Sequence, residues 1–177
     1  MDETIIDACC LINLSATGEL NRFLRQLGGK WHVPRVVQAE ALYLRAEQPD
    51  GTVEREAISL QPAISAGVLI PCDITEPTES DLYVQLASSL DDGEAMALAL
   101  AKSRGWRLAT DDRKAISMAT QLDVEVVTTP ELVNVWAVST QASVEEQRRL
   151  IRLIQSRARF FPNRHSPHRG WWHDLAE

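Results

Sequence analysis

Residues 90–112, LDDGEAMALALAKSRGWRLATDD, carry the pattern that organises this 177-residue chain. A turn at residues 91–93 opens a nearly all-apolar segment, which predicts a helix that begins at about Glu94. Residues 106–110 then predict a short strand. Two carboxylates follow this strand, Asp111 and Asp112. The stretch therefore predicts one βα unit with acidic side chains at both of its upper corners.

Short apolar strands alternate with helical patterns along the chain. Strands are predicted near residues 4–7, 31–33, 68–70, 106–110 and 124–128. This order predicts an α/β fold, a three-layer α/β/α sandwich with a mainly parallel central sheet. Helices are also predicted at residues 35–47 and 53–65, on either side of a turn at residues 48–51. Ligands of such sheets bind beyond the carboxyl ends of the strands, where Asp7 and Asp111 lie.

The C-terminal part of the chain differs from the rest in charge. Residues 145–177 hold seven arginines against four acids, a net of +3, whereas the whole chain has a net charge of −7. We divide the chain into a main domain, residues 1–141, and a C-terminal Arg-rich helix and tail, residues 142–177. The helix, from Val144 to about Phe160, has an apolar side, which predicts docking on the domain or on a second subunit of a homodimer. RNA contact by its arginines is the alternative, and the tail after it is predicted to be irregular.

Composition excludes several classes of protein. No apolar run approaches the roughly 18 residues of a membrane span, and the acidic start, Asp2 and Glu3, does not resemble a secretory signal. The three cysteines have neither zinc-type spacing nor an even disulfide count, which predicts free thiols and a cytoplasmic protein. The negative net charge argues against nucleic-acid binding by bulk attraction.

Three acids share a helical face with apolar residues at spacings of three, four and seven. They are Glu40, on a face with Val36, Val37, Ala41 and Leu44; Glu94, with Ala97, Leu98 and Ala101; and Asp112, with Ala115, Ile116 and Ala119. With Asp7, four acids are predicted to point inward, and burying unpaired carboxylates costs on the order of several kcal/mol. A divalent cation offsets this cost, and oxygen ligands favour Mg²⁺ or Mn²⁺. No histidine is near the four acids, which argues against zinc.

Each acid also has a structural interpretation. Asp111 fits a helix N-cap, and Asp112 suits the positive end of a helix. Glu40 could pair with a basic side chain, and Glu94 could serve only the first turn of its helix. The coincidence of all of them at one edge of the sheet favours a binding site.

At these residues the chain resembles the PIN-domain family of ribonucleases, which includes the VapC-type toxins of toxin–antitoxin pairs. The matching segments are Ile6-Asp7 with Asn13, Val33-Pro34 with Glu40, GEAMALALA at residues 93–101, and LATDDRKA at residues 108–115. The resemblance covers about residues 3–135, and it rests on the ordered set of four segments. A typical toxin of this kind ends near residues 124–136, whereas about 40 further residues follow here.

The resemblance implies hydrolysis of RNA phosphodiester bonds with Mg²⁺ or Mn²⁺. The catalytic acids carried over are Asp7, Glu40, Glu94 and Asp112, of which Asp7, Glu94 and Asp112 bind the metal with help from Asp111. Asn13 and Thr110 are expected to orient ligands. Arg113 and Lys114 are predicted to contact the substrate, although two solvated helix charges fit them equally well. An inhibitory antitoxin is the implied protein partner.

Two other classes of function are open. A PIN module that is catalytically inactive would bind nucleic acid or protein, and an RNA cleavage assay distinguishes it from the nuclease. An aspartyl-nucleophile phosphatase or a phospho-acceptor receiver domain would also place acids on a parallel sheet. The phosphatase requires Asp-x-Asp after the first strand, where Cys9 stands, and the paired acids of the receiver are in the wrong place.

Overall fold

The computed structural model describes residues 3–40, 42–48 and 50–177. Seven strands are present in this part of the chain: β1 (Glu3–Ile6), β2 (Lys30–Pro34), β3 (Tyr43–Glu47), β4 (Val53–Ala57), β5 (Leu69–Cys72), β6 (Arg107–Ala109) and β7 (Val126–Val127). Five of them form a parallel sheet in the order β5-β2-β1-β6-β7. The strands β3 and β4 form a separate antiparallel hairpin.

Ten α-helices surround the sheet: α1 (Ala8–Ser15), α2 (Leu20–Leu27), α3 (Arg35–Ala39), α4 (Gln61–Ser65), α5 (Pro77–Ala87), α6 (Asp92–Arg104), α7 (Arg113–Gln121), α8 (Thr129–Thr140), α9 (Val144–Leu153) and α10 (Arg169–Ala176). A π-helical turn, Ile154–Ala158, continues α9. Within the described ranges, none of these helices has both the length and the apolar composition that crossing a bilayer requires.

The sheet separates two apolar cores. Successive side chains of a strand point to opposite faces, so Ile5 packs into one core and Ile6 into the other. The core around Ile5 contains residues of α5, α6 and α7, and the core around Ile6 contains residues of α1, α2, α8, α9 and α10. The predicted three-layer α/β/α sandwich with a mainly parallel sheet is therefore confirmed.

The two helices predicted at residues 35–47 and 53–65 were wrong in part. The chain leaves α3 after Ala39, and residues 43–47 and 53–57 form the β3–β4 hairpin instead. Glu, Arg and Ala favour a helix there, but the turn overrides this preference. Gly51 has φ +81°, and the N–H of Gln48 donates to the carbonyl of Thr52 at 2.8 Å. The predicted positions Asp2, Ala41 and Pro49 lie outside the described residues.

The C-terminal segment packs onto the domain, as its apolar side predicted. Leu150, Ile151 and Ile154 are buried in the core around Ile6. The prediction of an irregular tail was wrong in part: residues 162–168 are irregular, but α10 forms after them and buries Trp172 to 1% exposure. This burial is a long-range contact with the domain, and no local periodicity in the tail indicates it. The predicted boundary at residues 141/142 stays a prediction.

Candidate active site

The acidic residues meet at the carboxyl edge of β1 and β6. These strands are parallel neighbours, with Ile6 opposite Ala109. Asp7 directly follows β1, and its N–H donates to the carbonyl of Ala109 at 3.1 Å. Residues 110–112 directly follow β6. The paired strands therefore place Asp7 beside this acidic segment, as expected from two adjacent parallel strands.

Asp7 is 1% exposed and is the N-cap of α1. Its Oδ1 accepts the backbone N–H of Cys10 at 2.9 Å, and its Oδ2 accepts the hydroxyl of Thr110. The thiol of Cys9 lies 3.1 Å from both carboxylate oxygens. The carboxylate is therefore fixed from three directions.

Thr110 links Asp7 to Asp112. The hydroxyl of Thr110 donates to Asp7 and accepts the backbone N–H of Asp112 at 3.2 Å. Asp112 is the N-cap of α7, and its Oδ1 accepts the N–H groups of Lys114 and Ala115 at 2.7 and 2.9 Å. The helix thus uses Oδ1 of Asp112, whereas its Oδ2 accepts no hydrogen bond from the described residues.

Asp111 faces away from Asp112 and toward α1 and α8. Its Oδ1 accepts the N–H of Thr129 at 3.0 Å. Its Oδ2 accepts the amide of Asn13 at 2.9 Å, the thiol of Cys10 at 3.2 Å and the hydroxyl of Thr129. Both carboxylate oxygens of Asp111 therefore already accept hydrogen bonds from the protein. One of the donors is Asn13, which was predicted to orient ligands.

Glu94 lies at the start of α6 in a capping box. Its N–H donates to Oδ1 of Asp91 at 2.8 Å, and the N–H of Asp91 donates to Oε2 of Glu94 at 3.4 Å. Burial raises the pKa of Glu94, and the charges of Asp112 and Asp91 raise it further. The predicted face of α6 is correct, and Glu94 lies within electrostatic reach of Asp112.

Glu40 reaches the same region by a different route from the one predicted. It is the C-cap of α3 with extended backbone and an exposed residue, so the helical stripe predicted for it does not exist. A Cβ built on Gly93 would lie 2.7 Å from Oε1 of Glu40 and 3.0 Å from Cγ2 of Val37. The absent side chain of Gly93 is therefore what lets Glu40 approach the start of α6.

Four of these acids have raised pKa values. Burial raises the pKa of Asp7 from 3.8 to about 7, and burial also raises the pKa of Asp111. The pKa of Glu40 is raised by burial and by the charges of Asp91 and Asp92. No lysine or arginine in the described ranges forms an ion pair with Asp7, Asp111, Glu94, Asp112 or Glu40.

The donor atoms of the acids and the charges around them show whether a metal ion would fit this site. Asp7, Glu94 and Asp112 offer hard oxygen donors, and none of the three forms an ion pair with a lysine or arginine in the described ranges; the charge of Lys114 offsets only part of the rise in the pKa of Glu94. A divalent cation would favour the ionised form of each carboxylate, and carboxylate oxygens suit Mg²⁺ or Mn²⁺. The donor set therefore fits the predicted metals.

Three residues of the site were not predicted: Cys9, Cys10 and Thr129. One ligand atom from each of Asp7, Cys9 and Cys10 lies within 4.8 Å of the others. Burial raises the pKa of the Cys10 thiol well above its usual value, so this thiol is a hydrogen-bond donor at neutral pH. The sequence signal was the position of the two cysteines two and three residues after Asp7, in the first turn of the helix that Asp7 caps.

The two basic residues of α7 have different surroundings. The ammonium of Lys114 donates to the carbonyl of Ser89, so it is tied to the loop before α6. Arg113 is exposed and lines a cleft beside Asp111. Of the two, Arg113 is the one that a ligand entering this cleft would meet.

Comparison with known proteins gives a family. A family model described as a PIN domain matches residues 3–166 and so extends past the predicted boundary at 141/142 into the C-terminal segment. A solved PilT N-terminus domain protein from the archaeon Sulfolobus solfataricus P2 is 17% identical, with 80% of this chain and 96% of that chain covered and a TM-score of 0.49. No match was found among curated proteins. The match over residues 3–166 shows that this chain belongs to the PIN domain family.

Proposed function

We propose that the protein is a metal-dependent endoribonuclease that hydrolyses phosphodiester bonds of single-stranded or structured RNA. The observation that carries this proposal is the placement of Asp7 and Asp112 at one edge of the sheet, with Glu94 within electrostatic reach of Asp112 and with the pKa values of Asp7 and Glu94 raised. Membership of the PIN domain family supports a nuclease. The choice of RNA and of Mg²⁺ or Mn²⁺ comes from the resemblance and from the oxygen donors.

Asp7, Glu94 and Asp112 would hold the metal. When bound, the metal supplies charge neutralisation at the phosphate and lowers the pKa of a water molecule. Thr110 holds Asp7 and Asp112 in fixed relation through its hydroxyl. Asp111, predicted as an assisting ligand, has both oxygens occupied by the protein, which favours a positioning role together with Asn13.

Glu40 is the proposed general base. Its exposed carboxylate can reach water, and its raised pKa brings it closer to neutral pH, where proton acceptance is most effective. Arg113 is the proposed phosphate contact. Lys114 is proposed only to support the loop before α6, because its ammonium already binds the carbonyl of Ser89.

The substitution Glu94→Gln tests the proposal. Glutamine can keep the capping box with Asp91, so the fold should remain, but the metal-binding charge is lost. We expect cleavage of a labelled single-stranded RNA in Mg²⁺ or Mn²⁺ to fall by about 100-fold or more, and EDTA to abolish it in the wild type. The matched control is Asp81→Asn, an exposed acid on α5, which should cleave like the wild type.

Absence of cleavage by the folded wild type with either metal would contradict the proposal and favour the inactive binding module.

The same variants also test the predicted toxin role. Expression of a toxin should arrest growth of a bacterial host, and the Glu94→Gln variant should not. Growth arrest by both the wild type and Glu94→Gln would show that toxicity does not depend on nuclease activity. An antitoxin would relieve only the arrest caused by the nuclease. The three free cysteines suit the predicted cytoplasmic location.

Gly93→Ala tests the role of Glu40 without removing its carboxyl group. The added Cβ would displace Oε1 of Glu40, the flexible end of an exposed side chain, so the cost in stability should be small. The close contact with Val37 is offset by the better helix propensity of alanine, about 1 kcal/mol. We expect kcat to fall by about tenfold or more, as for Glu40→Gln, with little change in melting temperature.

Gly170→Ala is the matched control for this experiment. A Cβ at Gly170, also in a helix, meets no atom within 4 Å. Cleavage by Gly170→Ala should equal that of the wild type. If Gly93→Ala also cleaved at the wild-type rate, the position of Glu40 would have no part in the reaction.

A further inference from the structure

A cleft of about 400 Å³ opens beside Asp111, the neighbour of Asp112 in sequence. One wall comes from α7 and the start of α8, and the other from residues 160–166 of the C-terminal segment. The side chains that carry the following argument are Asp111, Arg113, Phe161, Asn163 and Arg164. We refer to this space as the tail cleft, and its volume is within the range of sites that bind small molecules or single nucleotides.

The residues on both sides of Phe161 are anchored to the protein, and its own ring is exposed. Arg159, with φ +57°, ends the π-helical turn and reverses the chain. Phe160 packs edge-on against the ring of Trp172 at 5.6 Å, and Pro162 is buried. Between them Phe161 is 67% exposed, although it lines the tail cleft. A large exposed aromatic ring on an anchored segment provides a preformed stacking surface.

The tail cleft is positive on a protein that is negative as a whole. Arg113 and Arg164 are exposed on opposite walls, and the guanidinium of Arg164 donates a hydrogen bond to the neighbouring His165 at 3.0 Å. The acid that lines the cleft, Asp111, directs both of its oxygens to donors of the protein. Although the whole chain carries −7, the two exposed guanidinium groups form a local positive surface that a ligand phosphate can contact.

We propose that the tail cleft binds an unpaired nucleotide of RNA next to the bond that is cleaved. The base stacks on Phe161, and the adjoining phosphates contact Arg113 and Arg164. This inference rests on the proposed nuclease function, and it specifies the substrate as single-stranded at this position. Bases in a duplex are stacked on each other and cannot offer a face to Phe161.

The test is binding of a short fluorescein-labelled single-stranded RNA to the full chain in EDTA, followed by fluorescence anisotropy. EDTA prevents metal-dependent cleavage, so binding is measured separately from the reaction. We expect Phe161→Ala to weaken binding by about fivefold or more, since stacking of one base carries this effect, and Phe161→Trp to retain it. Val138→Ala, which removes an apolar side chain that is 72% exposed on α8, is the control.

The arginines are tested by the salt dependence of the same binding. Arg113→Ala and Arg164→Ala should each lower the slope of log affinity against log salt by about 0.7, the value for one lost phosphate contact on a single strand. Arg149→Ala removes an exposed arginine that does not line the tail cleft, and its slope should be that of the wild type.

Unchanged affinity in Phe161→Ala would overturn the inference, even if the wild type cleaves RNA. An equal loss of affinity for a duplex RNA of the same sequence would also overturn it, because stacking on an unpaired base would then not be the cause. If the wild type cleaves nothing but its binding depends on Phe161, the tail cleft is established and the nuclease proposal fails.

Discussion

Asp7→Asn is expected to abolish RNA cleavage and yet to unfold at a higher temperature than the wild type in EDTA above neutral pH. Burial raises the pKa of Asp7 from 3.8 to about 7. At a pH between these two pKa values, the carboxyl group of Asp7 is protonated in the folded protein and ionised in the unfolded chain. The free energy of unfolding therefore falls as pH rises through this window, by on the order of 4 kcal/mol in total.

Asparagine removes this penalty and can keep the hydrogen bonds. Its Oδ1 can accept the N–H of Cys10, as Asp7 does at 2.9 Å. The hydroxyl of Thr110, which donates to Asp7, can rotate and accept from the new amide. The variant cannot bind the metal with a negative charge, so its activity should be lost by about 100-fold or more.

The measurement is thermal unfolding from about pH 5 to about pH 8.5, with EDTA or with Mg²⁺. The melting temperature of the wild type should fall across this range in EDTA by several degrees more than that of Asp7→Asn. Mg²⁺ should raise the melting temperature of the wild type at high pH and leave the variant unchanged. Asp81→Asn should follow the wild type. A variant less stable than the wild type at about pH 8.5 in EDTA would show that Asp7 is not strained by burial.

Arg104→Ala is expected to lower the free energy of unfolding by about 3–5 kcal/mol, because it leaves a buried carboxylate without its partner. Glu79 is 3% exposed, and Arg104 binds both of its oxygens, at 2.7 and 3.1 Å. The same guanidinium donates to the carbonyl of Asp73 at 2.8 Å and lies 5.0 Å from the ring centroid of Trp106. Arg104 thus joins the end of α6 to the start of α5.

Protonation of Glu79 should weaken the same contact in the wild type. The hydrogen bonds from Arg104 lower the pKa of Glu79 from 4.5 to about 2. A lowered pKa contributes stability that is fully present above 4.5 and is lost as pH falls toward about 2. The difference in free energy of unfolding between the wild type and Arg104→Ala should therefore become much smaller in acid.

Urea unfolding at neutral pH measures the loss of stability in Arg104→Ala. Two further variants identify its cause. Arg22→Ala breaks an ion pair with Glu19 whose side chains are 69% and 50% exposed, and it should cost less than about 1 kcal/mol. Adding Glu79→Gln to Arg104→Ala should restore part of the stability, because the buried group is then uncharged. No recovery in the double variant would assign the loss to the other contacts of Arg104, with the carbonyl of Asp73 and the ring of Trp106.

The placements of acidic side chains that could be predicted depend on local sequence. Asp7 and Asp112 each follow a strand, and two paired parallel strands end at the same edge, so their meeting could be inferred without coordinates. Glu94 follows a turn that is recognisable as a capping box. Glu40 was placed on the helical face predicted over residues 35–47, which does not form beyond Ala39; its position near the start of α6 agrees with the family resemblance, and its role stays a prediction.

The parts that were missed depend on contacts between distant segments. Residues 43–47 have good helix formers, and only pairing with residues 53–57 makes them a strand. Trp172 is buried against a core that other segments build, and Phe161 is displayed because of this anchoring. Neither position has a periodic pattern that single-sequence reasoning could use.

The capping roles of the acids have a consequence for how this protein can change by mutation. Asp7, Asp112 and Glu94 each satisfy backbone N–H groups at the start of a helix, a role that Asn or Gln also performs. Substitutions to the amides would therefore remove activity while they keep, or at Asp7 improve, stability. Activity and stability are therefore opposed at Asp7. Selection for folding alone would not favour the acids over the amides at these three positions, so only the proposed chemistry requires the acids.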